Sequence, residues 1–219
     1  FEDKELLESN VVKLDKNKKI RDFFYNRLMF PITNEYGKTV GFGGRVLDNS
    51  NPKYINSPES DFFKKRNILY NLFNAKQTIR SKKNMLICEG YMDVISLYDK
   101  NIKTAVAPLG TSLTESHLVL SWKYVNKPTL MFDGDTSGLK ASFKSAVMSL
   151  PYLTPSKLLQ FVVLPNKYDP DTYINEFSLN EFAKYLRNPL SIVDFIFEES
   201  SKSIDLSKSD NKVIFDNYI

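Results

Sequence analysis

Met85-Leu86-Ile87-Cys88-Glu89-Gly90-Tyr91-Met92-Asp93 and Thr129-Leu130-Met131-Phe132-Asp133-Gly134-Asp135-Thr136-Ser137-Gly138 read alike. Each is a short apolar run that stops at an acid followed by glycine. Such a run, so bounded, suits a strand buried within a parallel sheet. Helical character follows each acid. In open α/β sheets, ligands sit beyond the carboxyl ends of the strands. Glu89, Asp133 and Asp135 are therefore expected to point into one crevice from two strands. Carboxylates that converge repel one another, and a bound cation relieves the repulsion. Hard oxygen ligands select Mg²⁺ or Mn²⁺ over zinc.

Working outward, the same rhythm continues. Strands are expected at 85–88, 104–107, 129–132 and 158–164, with helices at 91–99, 114–124 and 137–149 between them. Alternation of this kind predicts an α/β unit with a mainly parallel sheet flanked by helices. Ser112 and Glu115 have the spacing of a capping box. Asp93 lies one helical turn beyond Glu89 and can face the same crevice. A rigid loop with two more acids, Asp169 and Asp171, follows the last strand at the crevice rim. Residues 179–199 read as helix broken near Asn188-Pro189, and 200–212 as a mobile connection.

Upstream the pattern changes to mixed α+β. Residues 1–12 have amphipathic helical spacing, and 15–19 form a charged turn. A strand over 27–32, with Pro31 marking an edge or bulge, is expected to return through a turn at 34–38 into a glycine-bearing strand over 40–47. Residues 53–59 are extended, and 62–79 have helical spacing. The chain thus divides into a basic lobe at 1–84, a metal-binding unit at 85–175 and a C-terminal helical segment at 176–219.

Charge follows this division. Residues 1–84 hold 17 Lys+Arg against 10 Asp+Glu, a net of +7, whereas 85–219 hold 13 against 16, a net of −3. A basic lobe beside an acidic, metal-seeking one suits a phosphate-rich polymer as partner. Cys88 is the only cysteine and His117 the only histidine, so intrachain disulfides and zinc fingers are excluded. No apolar run is long enough to span a membrane, and no signal peptide is visible. The chain opens on Phe1 without Met, which suggests a fragment. Cys88 and Trp122 read as core residues, and His117 receives no role. Gly41-Phe42-Gly43-Gly44 is not a P-loop, because no Lys-Ser/Thr follows and no helix opens there.

Glu89-Gly90-Tyr91-Met92-Asp93-Val94 together with Asp133-Gly134-Asp135 resembles the Toprim signature of bacterial primases, type IA and II topoisomerases and some nucleases. The stretches 27–32, 41–47, 53–59, Leu109-Gly110-Thr111-Ser112 and Asp169-Pro170-Asp171 narrow the likeness to the catalytic RNA polymerase core of DnaG-type primases. Thr136, Asn71 and Arg66-Asn67 depart from the family pattern, which has Arg, Gly and Gly-Arg there. The resemblance implies template-directed, metal-dependent synthesis of short RNA primers from ribonucleoside triphosphates during DNA replication. It implies Asp133 and Asp135 as principal ligands of Mg²⁺ or Mn²⁺, supported by Asp93, Asp169 and Asp171. It makes Glu89 the best candidate for a metal-linked general base. Arg45, Lys53, Lys65, Arg27 and Asn56 would bind nucleotide or template. The implied partners are single-stranded DNA, ribonucleoside triphosphates, the RNA primer and, through a C-terminal domain outside these residues, the replicative helicase. The implied setting is the bacterial cytoplasm, with nucleoid association during replication and neither zinc nor membrane contact. Rival readings are another Toprim enzyme, a haloacid-dehalogenase-type phosphatase built on Asp133-Gly134-Asp135-Thr136, or a plain nucleic-acid-binding module.

Overall fold

The structure, a computed structural model, describes residues 2–110 and 112–202. The expected mobile connection at 200–212 lies outside the described residues from 203 onward, as does Thr111 of the Leu109–Ser112 stretch.

The chain begins with α1 (Asp3–Glu8), closed by a Glu2–Glu5 capping pair. It is shorter than the spacing predicts because β1 (Val12–Leu14) follows at once and pairs with β2 (Ile20–Asp22) across the charged turn. Asp15 makes that turn by accepting the N–H groups of Asn17 and Lys19 at 2.8 and 2.9 Å. A second, three-stranded antiparallel sheet has the order β3 (Arg27–Thr33), β4 (Thr39–Val46), β5 (Tyr54–Asn56). Pro31 lies on edge strand β3, and the register shifts between Ile32 and Thr33. The glycines of β4 let aromatic rings approach the strand: a Cβ on Gly41 would sit 3.1 Å from Phe63.

The helix expected over 62–79 forms only as α2 (Leu72–Lys82). Its first half is instead a loop with one 3₁₀ turn at Lys65–Asn67, followed by a bridge between Tyr70 and Ala107. Phe63, Ile68 and Leu69 of this loop are buried, so their helical spacing reflects burial in two different cores rather than one helix face. Asn71 explains its own departure from the family's glycine. It holds φ +66°, in the left-handed region that asparagine tolerates best after glycine, and its side-chain amide donates to the Ala105 carbonyl at 3.0 Å.

The main sheet contains β6 (Leu86–Ile87), β7 (Ala105–Val106), β8 (Thr129–Leu130), β9 (Gln160–Phe161) and β10 (Leu190–Ser191), in the order β10-β9-β8-β6-β7. The first four run parallel, and β10 adds an antiparallel edge. Five helices connect or follow these strands: α3 (Tyr91–Asp99), α4 (Glu115–Trp122), α5 (Thr136–Ser149), α6 (Pro170–Glu176) and α7 (Leu179–Arg187). The last helix is α8 (Ile192–Ser201). Pro189 divides α7 from α8, and β10 occupies the break. The loop expected at 165–171 ends in helix α6, with Pro170 at its first position, where its missing N–H costs nothing. The N-cap of α4 is Thr114 rather than Ser112.

Two apolar cores cover the two faces of this sheet. One is centred on Ile87, Leu130, Phe161 and Phe195, the other on Leu86, Cys88, Met131 and Phe182. A third, smaller core joins Ile32, Phe63 and Ile68 to Tyr91 and Leu109. It packs the three-stranded sheet against the end of the parallel sheet where the acids lie.

Candidate active site

β6 ends at Ile87, and the chain turns through Cys88, Glu89 and Gly90 into α3. Asp93, at the third position of that helix, accepts the Gly90 N–H at 2.9 Å. β8 gives way to Asp133-Gly134-Asp135, and Asp135 caps α5 by accepting the Gly138 N–H at 2.8 Å on Oδ1. Gly134 is required by packing: a Cβ there would come within 2.4 Å of the Pro165 carbonyl oxygen. Gly138 is required likewise, with 2.2 Å to the Asp133 carbonyl oxygen. Beyond β9, Asp169 caps α6, its Oδ1 accepting both the N–H and the hydroxyl of Thr172 at 2.6 Å. Asp171 donates its N–H to Asp93 Oδ1 at 3.4 Å. Its own Oδ1 accepts the Ser96 hydroxyl, and the Asn175 amide at 2.9 Å. All six predicted acids thus sit where strand ends meet helix starts, at one end of the parallel sheet.

Their protonation equilibria record how close they are. Burial pushes Asp93 up to about 7, helped by the charges of Asp133 and Asp169 and opposed by the Gly90 and Asp171 N–H groups. Asp133 is also pushed up to about 7, by burial and then by Glu89, Asp169 and Asp135. Glu89 is raised by burial and by Asp135, against the pull of the Asp133 N–H. Each is harder to ionise first because it is buried and then because charged neighbours stand near. A divalent cation would reverse that penalty.

The donor set fits such an ion. It is all carboxylate oxygen, and the caps of Asp135 and Asp169 use Oδ1 alone. Cys88 cannot compete as a soft ligand, because it is fully buried and burial holds its thiol well above the ordinary value. Among the described residues, no three of these side chains are gathered tightly enough to hold an ion as they stand. Closure onto a cation would therefore require side-chain rotation at Glu89, Asp133 and Asp135.

The predicted nucleotide- or template-binding residues lie on or beside the three-stranded sheet and on the 3₁₀ turn. Arg45 on β4 stands opposite Tyr54 on β5 in the sheet register. Its guanidinium is 5.5 Å from the Tyr54 ring centre, and Lys53 Nζ is 5.7 Å from it. Arg27 is committed differently: it donates to the carbonyls of Gly44 at 3.3 Å, Lys53 at 3.4 Å and Pro52 at 2.8 Å. Asn56 donates to the Leu109 carbonyl at 3.2 Å. Lys65 lies on the 3₁₀ turn, its ammonium 6.0 Å from the Phe63 ring. Within the N-terminal basic residues, an open groove of about 770 Å³ is lined by Lys13, Arg21, Phe23, Tyr25 and Arg27.

Tyr91 belongs to the acidic motif after β6, where the sequence alone gives it no role. It forms the first turn of α3, within a ring cluster of Phe30, Tyr54 and Tyr70. Its hydroxyl and the Asn56 side-chain oxygen are both buried without a hydrogen-bond partner. Both residues would meet a Cβ on Gly43, at 3.1 Å for Asn56 and 3.4 Å for Tyr91. Buried polar atoms are rarely left unmatched, so this corner between lobes is prepared for a polar group. The only sequence signal for it was a tyrosine in an otherwise acidic motif.

The chain matches the family described as DNA primase catalytic core, N-terminal domain, over residues 1–76, and the Toprim domain family over residues 83–157. It is 40% identical over 210 residues to the DNA primase of Buchnera aphidicola subsp. Acyrthosiphon pisum, covering 96% of this chain and 36% of that protein. It is 37% identical over 207 residues to the Escherichia coli K12 DNA primase, covering 94% and 36%. The chain therefore spans about a third of the length of the curated relatives it matches. A solved DnaG primase catalytic domain bound to single-stranded DNA superposes with a TM-score of 0.89 at 35% identity, covering 98% of this chain and 69% of that one. The E. coli primase catalytic core gives 0.88 at 36%, covering 97% and 68%.

Proposed function

This chain belongs to the DnaG-type primase family, and on that premise we propose that it carries out template-directed RNA primer synthesis from ribonucleoside triphosphates. The observation that carries the proposal is the acidic end of the parallel sheet, where Asp93 and Asp133 are both held near neutrality by burial and by neighbouring carboxylates. In the proposed division of labour, residues 1–84 hold template and nucleotide, 85–175 hold metal, and 176–219 complete the packing.

A divalent cation, Mg²⁺ or Mn²⁺, would stabilise charge on the attacking and leaving oxygens of phosphoryl transfer. Asp133 and Asp135 are its proposed principal ligands, with Asp93 and Asp169 beside them. Asp171 supports Asp93 through its N–H. Glu89 accepts the proton of the primer 3′-hydroxyl, and its raised pKa suits a base. Arg45, Lys53 and Lys65 neutralise triphosphate or template phosphates. Arg27 shapes the groove it lines with Lys13 and Arg21, and Asn56 and Tyr91 offer the nucleotide a polar corner.

The DNA-bound relative supports single-stranded DNA as template, and the groove lined by Lys13, Arg21 and Arg27 is the surface of this chain that suits it. The replicative helicase is a further proposed partner, reached through a C-terminal domain outside these residues. The reaction belongs in the cytoplasm, and no helix of the described residues is long and apolar enough to cross a membrane. The test is primer synthesis on a single-stranded template with Glu89→Gln. Loss of incorporation by a folded, template-binding variant is expected. Near-normal synthesis would remove Glu89 from the reaction.

A further inference from the structure

The basic turn at residues 64–66 has little of its own to hold it. A lone 3₁₀ turn supplies only two bonds here, from Asn67 N–H to Lys64 O at 2.9 Å and from Ile68 N–H to Lys65 O at 3.3 Å. Side chains supply the rest. Glu59 accepts the Lys65 N–H at 3.1 Å. From the other lobe, the Thr114 hydroxyl donates to the Arg66 carbonyl at 2.8 Å.

His117 completes the set. It is fully buried, and its Nδ1 lies 3.2 Å from the Thr114 N–H. An N–H can only donate, so Nδ1 must be the unprotonated acceptor. The ring proton then sits on Nε2, which is 2.9 Å from the Lys65 carbonyl, a group that can only accept. Both contacts demand the same neutral tautomer. Both peptide groups flanking Lys65 are therefore fixed by side chains, one on each side of the junction between lobes.

We infer that His117 and Thr114, at the start of α4, are positioning residues that clamp this turn and so direct the Lys65 ammonium toward the substrate side of the junction. The inference deepens the reading of Lys65 as a phosphate-binding residue and rests on it. The structure also supplies a measurement that does not depend on that reading. Lys64, Lys65 and Arg66 are trypsin sites, whereas Lys167 is an exposed trypsin site in a distant loop.

His117→Ala is expected to raise trypsin cleavage at 64–66 about tenfold relative to Lys167, the factor that accompanies loss of one ordinary hydrogen bond. Glutamine can donate and accept at nearly the same points, so His117→Gln should keep most of the protection. Thr114→Val tests the second arm if His117→Ala melts below the assay temperature. Binding of ATP with Mn²⁺ is then measured in His117→Ala, Lys65→Ala and the double variant. The clamp predicts weaker binding in each single variant and no additional loss in the double. Unchanged relative cleavage in His117→Ala and Thr114→Val would overturn the clamp. A loosened turn with losses that add in the double variant would overturn positioning and leave His117 as packing. A loosened turn with ATP binding unaffected by Lys65→Ala would overturn the phosphate role of Lys65, and with it the positioning claim, while the clamp itself stood.

Discussion

The acids at the end of the parallel sheet and the cations of the N-terminal lobe are held in opposite ways. Burial first, and then neighbouring carboxylates, make Glu89, Asp93 and Asp133 harder to ionise. Their arrangement is costly to the fold alone and makes sense only with a positive partner. The cations are each accommodated within the protein: Arg27 on three carbonyls, Arg45 and Lys53 over Tyr54, Lys65 over Phe63. Electrostatic conflict points to a ligand, whereas satisfied charges do not by themselves say what they bind.

The largest effect that sharpens this contrast lies on the acidic side. Glu89→Gln should reduce nucleotide incorporation by about 10²–10⁴-fold, the usual range for loss of a general base, with template binding intact by oligonucleotide titration. A loss below tenfold would place Glu89 outside the proton transfer.

Next in size is Arg27→Ala on the basic side. It strips charge-assisted donors from three carbonyls and should cost about 2–3 kcal/mol of stability in denaturant melts. If stability were unchanged and only DNA affinity fell, Arg27 would be a phosphate contact and not a strut.

A smaller effect returns to the acids. Asp133 has a folded-state pKa near 7 against an ordinary 3.8. The folded chain keeps that proton where the unfolded chain has lost it. Its contribution is therefore fully present below about pH 4 and is lost as pH rises through 7. Metal-free Asp133→Asn should gain about 1–2 kcal/mol over wild type at pH 8, and the gain should fade toward pH 4. A constant difference across that range would mean the carboxylate is not under strain.

The smallest effect is on salt dependence. Each single-strand phosphate contact contributes about 0.7 log units of affinity per log unit of salt. Arg45→Ala or Lys53→Ala should each lower the slope for oligonucleotide binding by about that amount if the residue meets the template. A slope unchanged beside weakened ATP binding would assign that residue to the incoming nucleotide.

The same contrast explains what the sequence made legible. The parallel strands and the strand-end acids were readable because an apolar run halted by acid and glycine has few other folds. The 1–84 lobe was harder. Phe62, Phe63, Leu69 and Leu72 mimic a helix face, but Phe63 and Ile68 enter a core shared with Tyr91 and Leu109, and no local pattern announces a shared core. The α4 cap was misplaced at Ser112 because a histidine at the third helical position does not look like a capping partner. Tyr91 and His117 stayed invisible as functional candidates for the same reason. Their roles come from an unpartnered hydroxyl and a fixed tautomer, and both depend on residues far away in the chain.

The most direct test of the central claim, that conflict among the acids is resolved by a divalent cation, is calorimetric titration of Mn²⁺ at pH 8 and at pH 6. Binding to carboxylates with pKa values near 7 must displace protons at the lower pH. Affinity is predicted to fall by about tenfold or more from pH 8 to pH 6, with proton release into the buffer, and to weaken sharply in Asp133→Asn/Asp135→Asn. Mn²⁺ binding indifferent to pH and to both substitutions would contradict the account.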